Sequence, residues 1–429
     1  MQTKKLSIRL ILVLTIFSGA LFVTGTRAVA EEKVLHSFNN NGKDGNAPYA
    51  ALIADAAGNL YGTTRDGGAY GGGTAFELTP KAGGGWTETV LYAFGNGTDG
   101  VFPYGSLIFD ASGNLYGTTL QGNGAYAGGT AFELSPAAGG SWTETVLHVF
   151  GNGTDGLKPA GGLVFDTFGN LYGTTTLGGL NTLGTVFELS PAAGGGWMER
   201  VLYAFETLGG GFDPIGPLTI GPSGNVYGTT YLGGSGAFGN GTVFELTRTA
   251  DGSWKAGVLY SFGNSSTDGF DPNGGLIMDP SGNLYGTTSS GGSATTCGSA
   301  GCGTVFELHP TAGGGWTEKI LHNFNENGTD GYFPAGSVIF DAAGNLYGVT
   351  GEGGNSTNCA DGHSCGTAFA LARRAGGGWT EKILHNFSNS GGDGIVPQAG
   401  LIFGGGGNLY GTTVGGGAFN YGTVIEIKP

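Results

Sequence analysis

Four cysteines and a handful of residues near them break the regularity of this chain. Cys297 lies five positions before Cys302, and Cys359 six before Cys365. Two chemistries fit four such residues: two disulfides, or one four-thiolate metal site. Each pair falls within one loop, and neither has the tight C-x-x-C spacing of zinc sites, so two local disulfides are predicted in an oxidising compartment. Glu352, Asp361 and His363 accompany the second pair. They are candidates for contacts on a binding loop. As carboxylates, Glu352 and Asp361 also suggest an acid pair for polysaccharide cleavage.

The remaining chemistry-bearing residues recur in register. An N-G-T-D-G motif carries Asp99, Asp155 and Asp330, with variants at Asp44, Asp268 and Asp393. Hard oxygen ligands suit Ca²⁺, but one carboxylate per loop is sparse and the D-x-[DN]-x-[DN]-G pattern is missing. These aspartates are expected to serve as turn residues, with Asp99, Asp155 and Asp330 as weak calcium candidates; no other metal or cofactor is expected. His36, His148, His322 and His385 share one position, where Tyr92, Tyr203 and Tyr260 stand in other repeats. Exchange with Tyr suggests a half-buried structural role. Six tryptophans (Trp86, Trp142, Trp197, Trp254, Trp316 and Trp379) are equally periodic. They are either sugar-stacking platforms or blade-edge packing, and packing is preferred. No G-x-S-x-G, H-E-x-x-H or phosphate loop is present.

The elements that must position these residues follow from one motif. GNLYGTT, or a close variant, starts at residues 58, 113, 169, 224, 282, 344 and 407, at intervals of 55 to 63 residues. Each repeat reads as four short runs rich in β-branched and aromatic residues: A (SLIFD), B (NLYGTT), C (GTAFEL) and D (WTETVLHVF). Four strands per unit and seven units predict an all-β, seven-bladed β-propeller. Val34–Phe38 is a D-type run and Gly422–Lys428 a C-type run, so the N-terminal strand is expected to complete the last blade.

The repeat unit D-x-x-GNLYGTT-x-x-GG…GT-V/A-FEL-x-P resembles the GloVer tandem repeat of bacterial exported proteins. That resemblance spans essentially the whole chain after residue 30. It implies β-propeller-like repeats and export, and brings no enzymatic activity with it.

Composition sets the remaining bounds. Of 429 residues, 93 are Gly and 11% are charged. Residues 1–30 read as a secretory signal peptide: Lys4, Lys5 and Arg9, an apolar run over 10–23, then Ala28-Val29-Ala30. This leaves residues 31–429 as a single exported propeller. Four of the 17 basic residues and none of the 32 acidic ones lie in the leader, so the remainder has 13 against 32, a net charge of −19. That disfavours nucleic acid and anionic membranes as partners. A second apolar segment is lacking, so no membrane span is expected in the exported chain. The B-to-C loops of repeats five and six vary most, and specificity is expected there. The function predicted is a non-catalytic, monomeric binding propeller for carbohydrate or protein, at the cell surface, in the periplasm or outside the cell. The alternatives are a polysaccharide-degrading enzyme and a structural envelope component.

Overall fold

A computed structural model describes residues 31–97, 99–122, 128–235, 239–356, 359 and 365–429. Seven antiparallel sheets form the blades of a propeller, six of four strands and one, in blade 2, of five. Blade 3 is representative, with strands A (Val164–Phe165), B (Leu171–Thr175), C (Thr185–Pro191) and D (Trp197–Ala204). Blade 7 has A (Ile402–Phe403), B (Leu409–Thr413) and C (Thr423–Lys428) from the end of the chain. Its D strand is Glu31–Ser37, paired antiparallel with Thr423–Lys428. The expected closure by the first strand is therefore what the chain uses. No helix among the described residues is long and apolar enough to cross a membrane.

The opening motif supplies the register. In blade 1, Gly58 has φ +85°, the left-handed conformation that closes the A-to-B turn on Asp55. Asp55 caps that turn by accepting from the amides of Ala57 and Asn59 and from Asn59 Nδ2. Tyr61 then places its hydroxyl between Asp55 (3.3 Å) and Glu77 of strand C (3.0 Å). This explains both the Tyr of GNLYGTT and the Glu of FEL. Thr64 ends strand B with its hydroxyl 2.8 Å from that of Thr74, and the same pair recurs in every blade. The Gly of the Asp-Gly motif packs against this pair: a Cβ on Gly45 would overlap the Thr64 side chain.

Between blades the chain uses a second device. Ala47, Phe102, Lys158, Asp213, Asp271, Phe333 and Val396 all have φ between +54° and +63°, and each precedes a proline. L-residues rarely adopt this conformation, least of all before proline. Each amide donates to a carbonyl of the previous blade, as from Phe102 to Gly72 and from Ala47 to Tyr421 across the closure. Asp213 is one of these left-handed residues; the Asp-Gly aspartate position of its repeat lies three residues earlier and is Gly210.

The core lies between blades. Phe94, Leu107, Leu115 and Phe132 form one fully buried cluster at the first junction, and equivalents recur around the ring. The tryptophans seal these clusters. Trp86, Trp197 and Trp254 meet Tyr410, Tyr116 and Tyr172 of the preceding blade edge-on, with centroids 6.1, 6.0 and 6.3 Å apart. Disulfides join Cys297 to Cys302 and Cys359 to Cys365, each within one B-to-C loop as expected.

Candidate functional site

Strand D brings the periodic acids into the blade junctions. All seven D strands carry a bulge near their end, as between Val90 and Tyr92 opposite Phe76 and Ala75. One extra residue reverses the side-chain parity. Trp86 and Glu88 therefore face the blade before, while Tyr92 faces the blade after. One strand serves two junctions.

At six of the seven junctions the result is a three-residue cluster. The His or Tyr after the bulge meets the Asp-Gly aspartate beside it and a Glu from strand D of the next blade. His36, Asp44 and Glu88 form the cluster between blades 7 and 1, and Glu32, His385 and Asp393 that between blades 6 and 7. Tyr92 donates to Asp99 at 3.0 Å, with Glu144 opposite. His148 Nε2 lies 3.0 Å from Asp155, with Glu199 opposite. Tyr260 lies 3.0 Å from Asp268 and 3.3 Å from Glu318. His322, Asp330 and Glu381 complete the set. Burial, and after it the neighbouring aspartate, raises Glu32, Glu88, Glu144 and Glu199 to about 7. Glu318 and Glu381 are raised in the same sense by burial and then by Asp268 and Asp330. The junction between blades 3 and 4 departs from the pattern: Gly210 stands at the aspartate position and Ala256 at the glutamate position.

Asp99, Asp155 and Asp330, read from sequence as turn residues, are thus nine-tenths buried. The turn role holds for two of them: Asp99 accepts from the amide of Gly95, and Asp155 from that of Gly151. The glutamates escaped the sequence reading. Their signal was available, because the Glu of W-x-E and the Asp of Asp-Gly are lost together in one repeat. Asp361 and His363 lie outside the described residues. Glu352 belongs to an extended strand B (Leu346–Gly353) and pairs with Tyr332, because blade 6 continues its A-to-B ladder past the motif.

A cleft of about 790 Å³ opens on the face of the A-to-B turns and spans blades 3, 4 and 5. Phe168, Tyr172, Trp254, Arg248, Ser223 and Met278 line it. Phe168 is 86% exposed. Arg248 lies over the Trp254 ring at 6.0 Å. A second cleft of about 440 Å³ lies between blades 7 and 1, lined by Trp86, Tyr410 and Asp55. Both open beside an A-to-B turn that has Gly where others have Asp: Gly221 in blade 4 and Gly404 in blade 7. At these two turns Asn225 and Asn408 reach Glu245 and Glu426 instead. The central channel holds a pocket of about 270 Å³, lined by Tyr49, Tyr104, Ser106, Asn273, Gln398 and small residues, with no carboxylate among them.

The family profile of the Gloeobacter/Verrucomicrobia repeat matches residues 17–238 and 194–425. The chain belongs to this repeat family. No curated protein sequence matches it. Among solved structures, an ancestral GH74 enzyme is similar in fold, at 13% identity and a TM-score of 0.56 over 92% of this chain and 51% of that one. A puromycin-hydrolyzing peptidase of Mycobacterium tuberculosis matches at 11% identity and a TM-score of 0.50, over 92% and 54% respectively. A putative oxidoreductase (glucose dehydrogenase) from Thermus matches at 18% identity and a TM-score of 0.42, over 77% and 97%. This repeat-family chain spans about half the length of the first two, and at such identities the likeness extends to the propeller fold alone.

Proposed function

We propose that the protein is an exported, non-catalytic binding propeller that holds a carbohydrate in the cleft across blades 3, 4 and 5. The observation that carries this reading is the cleft's lining: an exposed aromatic ring at Phe168 across from Trp254, with Arg248 stacked beside it. Sugars present apolar C–H faces and hydroxyl edges. An aromatic platform meets the first and a guanidinium fork the second. The smaller cleft of the same kind between blades 7 and 1 supplies a second position on the same face, which suits an extended or multivalent glycan. Two disulfides and an acidic chain support the exported setting.

The test is isothermal titration and glycan-array binding with the purified chain. Binding of at least one oligosaccharide class at or below millimolar concentration is expected, with loss in Phe168→Ala and weakening in Arg248→Ala. If no glycan binds, or if Phe168→Ala binds as the wild type does, the reading fails. Capture of a protein ligand by the same cleft would replace carbohydrate by protein.

A further inference from the structure

The six acidic clusters are not equivalent. At three of the four that carry histidine, the ring nitrogen is hydrogen-bonded to its aspartate: His36 at 3.3 Å, His148 at 3.0 Å and His385 at 3.0 Å. Those aspartates also accept from backbone amides, at Asn39, Gly151 and Ser388. His322 differs. Its Nε2 stands 3.6 Å from Asp330 Oδ2 and 3.6 Å from Glu381 Oε1, equidistant and beyond hydrogen-bond range from both. His322 Nε2, Asp330 Oδ1 and Glu381 Oε1 are all buried with no hydrogen-bond partner. Asp330 is 8% exposed, so its unpaired oxygen has no recourse to bulk water. An imidazole nitrogen left without a partner beside two buried carboxyl groups carries a desolvation cost.

We infer that His322, Asp330 and Glu381 form a binding site for a divalent zinc-class cation between blades 5 and 6. Zinc bonds of about 2.0–2.2 Å to nitrogen and oxygen, at tetrahedral angles, place ligand atoms roughly 3.3–3.5 Å apart. The observed 3.6 Å separations sit near that spacing and away from a hydrogen bond's. An imidazole with two carboxylates favours zinc over calcium, which takes oxygen ligands. Three protein ligands leave a fourth position for water, and the His322 side chain is 19% exposed. In the three other histidine clusters the glutamate oxygens of Glu32, Glu88 and Glu199 are unpartnered as well, but the ring nitrogen is committed to its aspartate, which makes those clusters internal controls for the free nitrogen of His322. His322, Asp330 and Glu381 are not among the residues lining the proposed sugar cleft, so either reading can fail alone.

The experiment uses the full exported chain, stripped with a chelator and titrated with Zn²⁺ by calorimetry. One equivalent bound in the micromolar range or tighter is expected. The affinity should fall by at least about tenfold in Asp330→Asn and in Glu381→Gln, while Asp155→Asn, at the His148 cluster, keeps it. Co²⁺ added to the stripped wild type should give the visible absorption of a four-coordinate site, which decides the matter even if a variant fails to fold. No zinc uptake below about 1 mM, unchanged affinity in both variants, or equal loss in Asp155→Asn would overturn the assignment.

Discussion

Two blade junctions of this propeller solve the same packing problem in opposite ways. Between blades 5 and 6, His322, Asp330 and Glu381 bring two carboxyl groups and an imidazole into a buried seam. Between blades 3 and 4, Tyr203 and Ala256 face a seam with neither acid, packed against Tyr172, Leu202 and Phe205. Both junctions keep the buried Phe after the bulge, Phe324 and Phe205, against a Phe of the next blade. The acid-free seam shows that the carboxyl pair is not a requirement of blade packing. It also shows why the two acids travel together. A single Glu buried there would have neither the adjacent His nor the aspartate proton to share, whereas losing both leaves an ordinary apolar contact.

This contrast is open to direct attack. The largest effect expected is on the wild type. A glutamate whose folded pKa lies above its unfolded value of about 4.5 contributes stability that is fully present below that value. The contribution is lost as pH rises through 7 and above. Asp110, Asp166, Asp279 and Asp341 work in the opposite sense. Burial raises them, but turn hydrogen bonds, above all from Asn114, Asn170, Asn283 and Asn345, outweigh it and hold them below the usual range. Their contribution is present above pH 4 and is lost under stronger acid. Thermal melts should therefore peak near pH 5 and lose roughly 3–5 kcal/mol by pH 9, after discounting the more exposed glutamates. A flat profile would mean that the six pairs are not coupled as drawn.

Next in size is Ala256→Glu, which installs one acid of the pair in the acid-free seam. Stability at pH 8 should drop by about 2 kcal/mol, and by less at pH 5, where the carboxyl is protonated. A neutral result would show that the seam tolerates a lone acid. Glu318→Gln does the reverse. Facing Tyr260 and Asp268, it removes one raised carboxyl and should stabilise the chain by about 1 kcal/mol at pH 9 with little change at pH 5. Equal shifts at the two pH values would remove Glu318 from the titrating set. The smallest effect belongs to Phe168→Ala. That residue lies outside every seam, so unfolding should move by less than about 0.5 kcal/mol while ligand binding is lost.

Much of this fold was legible in the sequence because it is periodic. Seven copies of GNLYGTT and its close variants set the blade count, the A-to-B turn, the disulfide loops and the closing strand. What escaped was whatever depends on parity or on neighbouring blades. A bulge inserts one residue without altering the alternation visible in W-T-E-T-V, so the opposite orientations of Glu88 and Tyr92 could not be read along the strand. The histidine position is half-buried, as its exchange with Tyr suggests, but its glutamate partner lies in the next repeat, more than fifty residues away, as with His322 and Glu381. The cleft was marked by what is missing, the Asp at Gly221 and Gly404, and such gaps matter only once that Asp is known to cap a turn. The left-handed residues before proline run against local preference and are imposed by hydrogen bonds from the previous blade.

The pairing of Glu31 with Lys428 has a consequence in time as well as in space. A strand near the start of the chain finds its partner only when the end of the chain is available. Until then, blade 7 has no outer strand and the D strand at residues 31–37 has both edges open. The last step of folding must therefore close a loop that spans nearly the entire propeller, an entropic toll that grows only logarithmically with length but is met late. During that interval the open edges are the part of the molecule most exposed to pairing with another copy of itself.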